Sequence, residues 1–419
     1  MAAGMKKPLE KTHLDGLTRW MNESPVIRST IMKRVLIYFL PSLSVLSLLF
    51  VATGVIHYTF FLSVFFLNLL VVAAGLRKTN RIHIVLTGMH NYLSSMYQLL
   101  KTFDQESFNS GILDNIKQNI CGRKVSAAGS VKRLTSLIQA FDSRLNVIVG
   151  FILNGLLLWD YHCIYRLDKW KSEYRKLFPD WIEMLGTIDA FISLGNYACN
   201  NPRFIYPEIS EKKYLFSARS AGHPLISENK RVCNDFVIEH SGNVYIISGA
   251  NMSGKSTFLR TIAVNYILGM AGAPVCATEM VFTPLKLFTS MRTTDSLSEN
   301  ESYFYAELRR LKMLKSEIEK GEPVLFILDE ILKGTNSADK SLGSKLFLKR
   351  LIDLGGTGLI ATHDTSLGEM EAEYPGIVVN KCFEIEIEGE IIKFDYKLRN
   401  GITHKMNAAI LMKQMGILE

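Results

Sequence analysis

The chain has 419 residues, 48% of them hydrophobic and 21% charged, so it exceeds the usual length of one domain and holds enough apolar material for a sizeable core. Its formal net charge is +8, but residues 1–80 contain nine Lys and Arg against three Asp and Glu, which leaves only +2 for the rest and argues against a bulk nucleic-acid footprint. The six cysteines form no C-x-x-C pair and no metal-binding spacing with His, which is typical of reduced cytosolic thiols.

The first predicted element after a basic cytoplasmic segment, residues 1–34, is a two-helix transmembrane hairpin over residues 35–76. This run contains no Asp, Glu, Lys or Arg. A bilayer core of about 30 Å needs about 20 apolar residues per helix, so the run has the length for two spans, 35–56 and 59–76. Basic residues flank it at both ends: Lys33, Arg34, Arg77, Lys78 and Arg81. Both flanks are therefore predicted to be cytoplasmic. A hairpin buried in a soluble core is the alternative.

Residues 77–208 are predicted to form an all-α helical domain. Two sets of apolar residues recur every three or four positions, the spacing of one buried helix face. The first set is Leu86, Met89, Leu93, Met96, Leu100 and Phe103, and the second is Leu134, Leu137, Phe141, Leu145, Ile148 and Ile152. The run 145–159 is short for a third span and contains Asn146 and Asn154, so a buried helix is favoured over a span there.

Residues 209–419 alternate short apolar strands with amphipathic helices. Strand 244–248 precedes helix 257–268, and strand 324–328 precedes a helix after Ser337, with a further strand at 359–362. This alternation predicts an α/β fold whose mostly parallel sheet is covered on both faces. Strands 382–388 and 390–396 flank Gly389 as a predicted hairpin.

Residues 249–256, Gly-Ala-Asn-Met-Ser-Gly-Lys-Ser, fit the phosphate-binding pattern G-x-x-x-x-G-K-[ST] between a strand and a helix. Such a loop closes its backbone N–H groups around phosphate oxygens at the positive end of the helix. Lys255 would bridge the β- and γ-phosphates, and the Ser256 hydroxyl would ligate Mg²⁺. Nine residues are assigned to nucleotide binding: Gly249, Ala250, Asn251, Met252, Ser253, Gly254, Lys255, Ser256 and Thr257.

Two further strands end in polar residues. Asp329 and Glu330 follow an apolar strand, where adjacent acids are costly unless a cation or a reacting water uses them. Asp329 is predicted to serve the metal, and Glu330 to act as general base for water attack. His363 closes another strand and is predicted to sense the γ-phosphate, because strand ends of a parallel sheet converge on the ligand. Catalysis is thus assigned to Lys255, Glu330 and His363.

Four segments in order resemble the MutS mismatch-repair family. They are the phosphate loop with its Asn-Met pair at 251–252, the segment 295–307, the loop 329–339 and Ala-Thr-His at 361–363. In that family the second segment has a Ser, a Phe and a final Glu, which fall here on Ser302, Phe304 and Glu307. The resemblance implies an ATP- and Mg²⁺-dependent homodimer in which Ser302 reaches the nucleotide of the opposite subunit. The alternative for Ser302 is a helix N-cap.

The resemblance also has limits. A membrane hairpin occupies the place of the family's mismatch-reading domain, and the helical stretch 81–205 is short for a lever with a DNA clamp. Where the family stacks an aromatic ring on adenine, this sequence has Arg231, whose planar cation could stack instead. Duplex binding and mismatch recognition therefore do not transfer from the resemblance, and DNA remains a possible partner that the charge distribution does not support.

The sequence is accordingly predicted to encode a membrane-anchored, MutS-like P-loop ATPase of the ABC type, with a cytoplasmic ATPase domain and an unidentified protein partner. ATP turnover in two composite dimer sites would move the helical region. One alternative is an ABC-class transporter ATPase, although the L-S-G-G-Q signature is missing. A second is a membrane-tethered repair protein that binds nucleic acid.

Overall fold

The computed structural model describes residues 11–25, 31–121, 126–291, 303–388 and 391–403. The chain divides into two compact units, Met1–Ile192 and Ser193–Glu419. The predicted boundary between helical and ATPase domains lies at 208/209, whereas the two units divide inside the helix Phe178–Asn200.

The described part of the first unit is helical throughout, as the sequence predicts. Its helices are α1 (Lys11–Asn22), α2 (Ile31–Ala52), α3 (Tyr58–Gly88), α4 (His90–Gln105), α5 (Gly111–Cys121), α6 (Ala127–Asp142), α7 (Val147–Leu157), α8 (Trp159–Tyr174) and α9 (Phe178–Asn200), the last of which continues into the second unit. All six residues of the first predicted stripe are buried in one core with residues of α6, α8 and α9. This stripe belongs to two helices, since α3 ends at Gly88 and α4 begins at His90.

The predicted hairpin forms two long helices joined by a short turn. Val35–Ala52 and Tyr58–Gly88 are each long and apolar enough to cross a membrane. The two helices contact each other through polar as well as apolar groups: the buried Asn68 Nδ2 donates to Ser44 Oγ at 2.7 Å. Many large apolar side chains on their other faces are exposed.

The second predicted stripe is broken, and the prediction of a buried helix over 145–159 is wrong. Helix α6 ends at Asp142, a 3₁₀ turn follows at Ser143–Leu145, and α7 leaves at 107°. The Asn146 side chain accepts from Val149 N–H at 3.2 Å and so starts a new helix, which is the N-cap role that Asn favours. Leu134 and Phe141 are consequently buried, whereas Leu145, Ile148 and Ile152 are exposed.

The second unit contains ten strands and four helices among its described residues, besides the end of α9. They are β1 (Glu208–Ile209), β2 (Phe216–Ala221), β3 (Asn234–Ile238), β4 (Val244–Gly249), α10 (Lys255–Met270), β5 (Glu279–Phe282), β6 (Lys286–Ser290), α11 (Tyr303–Glu319), β7 (Val324–Asp329), α12 (Ser337–Asp353), β8 (Thr357–Thr362), α13 (Met370–Glu373), β9 (Val378–Glu388) and β10 (Ile391–Asn400).

A six-stranded sheet in the order β10-β9-β4-β8-β7-β6 organises this unit. All neighbours pair in parallel except β10, which pairs antiparallel with β9, as the predicted terminal hairpin requires. Successive residues of β4 and β7 point alternately into two cores, one holding α10 and the other holding α11 and α12. The sheet is thus covered on both faces, as its near-continuous apolar strands predict. A second sheet, β1-β5-β2-β3, was not predicted.

The strand order brings together the ends of β4, β7 and β8, where the predicted site residues lie. Strand β8 lies between β4 and β7 and is parallel to both, so the carboxyl ends of all three lie at the same edge. In an open α/β sheet this edge is where ligands bind.

Candidate functional site

The loop from β4 into α10 has the backbone that a phosphate cradle needs. Gly254 has φ +106°, a conformation that favours glycine, and a Cβ there would lie 3.0 Å from Tyr396 Cδ1. Helix α10 begins at the next residue, Lys255, and its first-turn N–H groups therefore face the loop. A phosphate could therefore approach the loop backbone closely at the positive end of α10.

Lys255 is only 5% exposed and has no side-chain anion within hydrogen-bonding distance among the described residues. Its Nζ donates to the carbonyl oxygens of Gly249 at 2.7 Å and Ala250 at 2.8 Å. Burial lowers the pKa of Lys255, although the nearby carboxylates of Glu330 and Asp329 act in the opposite direction. Ser253 Oγ is also buried and has no hydrogen-bond partner in the described part of the chain. Both groups can donate to an anion.

Glu330 is turned into the site by the backbone at the end of β7. Its φ is +52°, and its N–H donates to Ala361 O in β8 at 2.9 Å, which fixes the residue against the neighbouring strand. Its carboxylate lies 3.4 Å from Lys333 Nζ and 3.3 Å from His363 Nδ1. Burial works against ionisation, but Lys333, His363 and Lys255 outweigh it and lower the pKa of Glu330.

His363 lies between a carboxylate and an ammonium group. Its Nδ1 is 3.3 Å from Glu330 Oε1, and its Nε2 is 3.5 Å from Lys340 Nζ. The sequence predicts His363 at the γ-phosphate; in the structure its described contacts are to Glu330 and Lys340.

A buried carboxylate from α11 holds the loop that follows Glu330. Glu307 accepts from Leu332 N–H at 2.7 Å and from Lys333 N–H at 3.2 Å. Burial raises the pKa of Glu307 despite these two hydrogen bonds. Gly334 in the same loop packs so closely that a Cβ would lie 2.8 Å from Phe304 Cβ. Phe304 and Glu307, which belong to the segment 295–307, thus position Glu330 through the loop that follows it.

The phosphate loop, Lys255 and Glu330 line a cavity of about 520 Å³, whereas His363 and Glu307 lie outside its lining. Its walls come from the phosphate loop and α10, from the acid at the end of β7, and from β3, β9 and β10. The lining residues are Ala221, Ile226, Lys230, Val232, Asn234, Asn251, Met252, Ser253, Gly254, Lys255, Ser256, Thr257, Phe258, Thr261, Glu330, Phe383 and Tyr396. Seven of the predicted nucleotide-binding residues are among them. Ser302 lies outside the described residues.

The profile of one known family, MutS domain V, matches residues 245–416. The chain contains a MutS domain V at these residues. It is 28% identical to human MutS protein homolog 4 over 267 residues, which are 61% of this chain and 26% of that protein. It is 27% identical to the DNA mismatch repair protein MutS of Thermotoga maritima over 249 residues, 59% of this chain and 31% of the other. It is 30% identical to the DNA mismatch repair protein MSH3 of Phaeosphaeria nodorum over 261 residues, 59% of this chain and 23% of the other. The chain spans about a quarter to a third of the length of these relatives.

The MutS domain here does not use Arg231 as the stacking residue that the sequence suggests. The Arg231 guanidinium donates to Ile226 O at 2.7 and 2.9 Å and to Cys276 Sγ at 2.8 Å, and it lies 5.4 Å from the centre of the Phe204 ring. These contacts hold it away from the cavity, where the next residue, Val232, forms the wall instead.

Tyr396 lines the cavity together with Phe258 and Phe383, and it is not among the residues that the sequence predicts for the nucleotide site. It lies where the register of β9 and β10 shifts between Phe394 and Leu398, and its φ of +55° marks the bulge. Asn234 fixes this bulge, because its side chain donates to Tyr396 O at 3.0 Å and accepts from Leu398 N–H at 2.8 Å. Phe394, Tyr396 and Leu398 alternate with Asp395 and Lys397 as in a regular strand, so the sequence carries no local signal of the bulge.

The MutS domain's candidate metal residues fit a Mg²⁺ site with few protein ligands. Ser256 lines the cavity in the first turn of α10, and Asp329 is buried at the end of β7. Among the residues that the structure describes, no three His, Cys, Asp or Glu side chains cluster as metal ligands. Ser256 and Asp329 supply oxygen ligands, and Mg²⁺ is held by one or two such protein groups together with phosphates and water.

Proposed function

We propose that the second unit binds ATP in the 520 Å³ cavity and hydrolyses it with Mg²⁺. The observation that carries the proposal is the buried Lys255 beside the Glu330 carboxylate at the edge where β4, β7 and β8 end. The family supports it, because MutS domain V is an ATPase domain.

The chain's own residues account for phosphate binding. Lys255 Nζ would exchange the carbonyl oxygens of Gly249 and Ala250 for phosphate oxygens, and the Ser253 hydroxyl would gain an acceptor. Ser256 and Asp329 would hold Mg²⁺, which supplies neutralisation of the phosphate charge when bound. The remaining loop residues, among them Asn251, Met252 and Thr257, shape the cavity wall.

Glu330 is proposed as the general base. Its lowered pKa keeps it ionised at neutral pH, and its side chain lines the cavity. His363 holds one carboxylate oxygen and Lys333 the other, so the carboxylate is oriented toward a water in the cavity. His363 would report on the γ-phosphate through this shared contact.

We propose further that the chain is a membrane-anchored homodimer with a cytoplasmic ATPase domain, and that Ser302 completes the nucleotide site of the opposite subunit. Two helices that can each span a bilayer support the anchor. The basic residues at both ends of the apolar run support cytoplasmic flanks. Turnover would then move the helical unit relative to a protein partner.

DNA repair is a second candidate, favoured by relatives that are named DNA mismatch repair proteins. It predicts duplex binding that weakens steeply as salt rises, since phosphate contacts release counterions. Equilibrium binding to duplex DNA across a salt series, with and without ATP, tests this candidate separately from hydrolysis.

Two substitutions test the ATPase assignment. Glu330→Gln should keep ATP binding and lose turnover by about 10²-fold or more, because a general base contributes on that order. Lys255→Ala should lose both ATP binding and turnover, because the phosphates lose the buried cation. Steady-state ATP hydrolysis and equilibrium binding of a fluorescent ATP analogue measure the two effects.

The exposed Glu322→Gln, close before β7, is the matched control and should behave as wild type. Near-wild-type turnover in Glu330→Gln would remove Glu330 from its assigned role.

A further inference from the structure

Helix α7 carries an apolar face that the described part of the first unit leaves uncovered. Val147, Ile148, Phe151 and Ile152 are exposed by 82, 72, 50 and 47%. The helix, Val147–Leu157, contains no charged residue, and only two glycines and one asparagine within it are buried. An apolar face of this density indicates an interaction surface rather than a solvated one.

From Phe151 to its last turn, α7 packs on α3 of the hairpin. The Phe151 and Phe65 rings lie 5.4 Å apart, and a Cβ on Gly155 would overlap the Phe65 ring, so the two helices approach closely. Asn68 Nδ2 donates to Gly155 O at 2.8 Å. That carbonyl lies in the last turn of α7, and a polar group of this kind must find a partner when no water reaches it.

The contact lies near the middle of the segment of α3 that would span a bilayer. Asn68 is ten residues after Tyr58, where α3 begins, and nine before Arg77, where its charges begin. Ten residues of helix rise about 15 Å, which is half of a bilayer core of about 30 Å. If α3 spans the bilayer, Gly155 of α7 reaches the same depth.

The residues just before α7 contact the residues just after it. Trp159 Nε1, at the start of α8, donates to Ala140 O at 3.0 Å and to Ser143 Oγ at 2.9 Å, near the end of α6. Arg144 Nη2 and Asp160 Oδ2 form an ion pair at 3.0 Å, in which the Asp160 side chain is buried and that of Arg144 is 11% exposed. Because the chain before α7 contacts the chain after it, α7 enters and leaves on the same side.

We infer that α7 is a re-entrant membrane element, which enters the bilayer beside α2 and α3 and returns without crossing it. The inference rests on the proposed membrane anchor. The occupant of its exposed face is lipid acyl chain, because that face carries no charge and α7 packs directly on the hairpin helix that exposes Phe66 and Leu70. A soluble partner would instead leave this face accessible to water-borne probes in the isolated protein, whereas a second copy would shield it from oxygen and from the nickel chelate alike.

Spin-label accessibility in vesicles tests the inference. The full-length chain, with its native cysteines replaced by alanine, is reconstituted into phosphatidylcholine vesicles after its ATP binding has been verified. A nitroxide is attached at Ile148→Cys, and at Val147→Cys as a second variant. Leu70→Cys in α3 serves as the hairpin reference, and the exposed Ile112→Cys in α5 as the aqueous reference. The ratio of collisions with oxygen to collisions with a water-soluble nickel chelate is measured at each position.

The oxygen-to-nickel collision ratio at positions 148 and 147 should be several-fold above that at the aqueous reference, position 112. It should be close to the ratio at the hairpin reference, position 70. An aqueous ratio at both α7 positions with a lipid ratio at 70 overturns the inference and leaves the hairpin standing. Aqueous ratios at all four positions overturn the anchor as well.

Sidedness gives an independent measurement. Lys132→Cys in α6 and Lys169→Cys in α8 are exposed positions on either side of α7. An impermeant maleimide added outside sealed vesicles should label both or neither in any one orientation of the protein. Labelling from opposite sides would show that α7 crosses the membrane and would overturn re-entry.

Discussion

At the scale of single residues, the site depends on the contacts that surround one carboxylate, that of Glu330. Glu330 has Lys333 at one oxygen and His363 at the other, with Lys255 acting through its charge. Each neighbour offsets part of the burial cost that a lone carboxylate would carry at a strand end. Glu330 therefore stays ionised while its side chain lines the cavity, which a base needs.

Sequence reasoning brings Lys255, Glu330 and His363 together correctly, because the carboxyl ends of neighbouring parallel strands share an edge. It does not find Tyr396, since a strand bulge is set by partners distant in the chain, here Asn234. It misplaces Arg231 for a similar reason: the guanidinium satisfies its donors on a carbonyl and a thiol that no local pattern reveals.

The first prediction at this scale concerns Tyr396, whose ring lines the cavity and lies beside Gly254. If the adenine base stacks on this ring, Tyr396→Ala should weaken ATP binding about tenfold, since a base–aromatic stack is worth about 1–3 kcal/mol. Tyr396→Phe should bind ATP as wild type does. Titration calorimetry with ATP measures both variants.

Tyr206→Ala removes an exposed ring that does not line the cavity and is the matched control. Equal ATP affinity in Tyr396→Ala and Tyr206→Ala would show that the base lies elsewhere.

At the scale of elements, α11 is linked to the loop after β7 by one buried side chain. Glu307 accepts two backbone hydrogen bonds from that loop, and the loop supplies Lys333 to the carboxylate of Glu330. A helix and a strand end are thereby held in one arrangement. Any movement of α11 would be transmitted to Glu330 through these two hydrogen bonds.

We therefore expect Glu307→Ala to lower ATP turnover about tenfold or more while changing ATP affinity little. The substitution leaves the N–H groups of Leu332 and Lys333 without acceptors, at a cost of about 1–3 kcal/mol each. Glu307→Gln keeps one acceptor oxygen and should recover part of the turnover. Steady-state kinetics, with kcat and KM determined separately, make the measurement.

Glu317→Ala on the same helix is the control, because among the described residues its carboxylate pairs with the exposed lysines Lys286 and Lys320 and such surface pairs contribute little. If Glu307→Ala and Glu317→Ala show the same kcat, the link between α11 and the general base is absent.

Elements also show where hydrophobic periodicity stops being informative. The stripe through Leu134 and Phe141 continues in sequence to Ile148, yet the helix ends at Asp142. An apolar period of three to four residues is the same on both sides of a bend and does not reveal it. The bend occurs because the Asn146 side chain caps the start of the next helix. The apolar residues beyond the bend therefore lie outside the core that the stripe predicts.

At the scale of the whole molecule, the distribution of charge predicts the location of the chain. We expect the protein to remain in the membrane pellet after alkaline carbonate washing and to be released by detergent. The physical reason is the uncharged run 35–76, whose two helices expose apolar side chains along their length. Immunoblotting of pellet and supernatant makes the measurement. Recovery in the carbonate supernatant would instead assign the hairpin to a soluble assembly.

The dimer yields the last prediction, which concerns Ser302. If Ser302 acts on the opposite subunit, the Lys255→Ala and Ser302→Ala chains are each inactive alone but complement each other in a mixed dimer. Both lesions then fall on one composite site, and the second site is intact. A 1:1 mixture contains half mixed dimers with one working site of two, so about a quarter of wild-type turnover should return. Specific activity should also rise with protein concentration.

The control for this experiment is built into the same site. Lys255 and Glu330 lie in one subunit's cavity, so a mixture of Lys255→Ala and Glu330→Gln places one lesion in each site and should stay inactive. Subunit exchange is verified in both mixtures by pull-down between two affinity tags. Recovery with Ser302→Ala but not with Glu330→Gln requires that Ser302 reaches across the dimer, whereas inactivity of both mixtures after verified exchange places Ser302 in its own subunit.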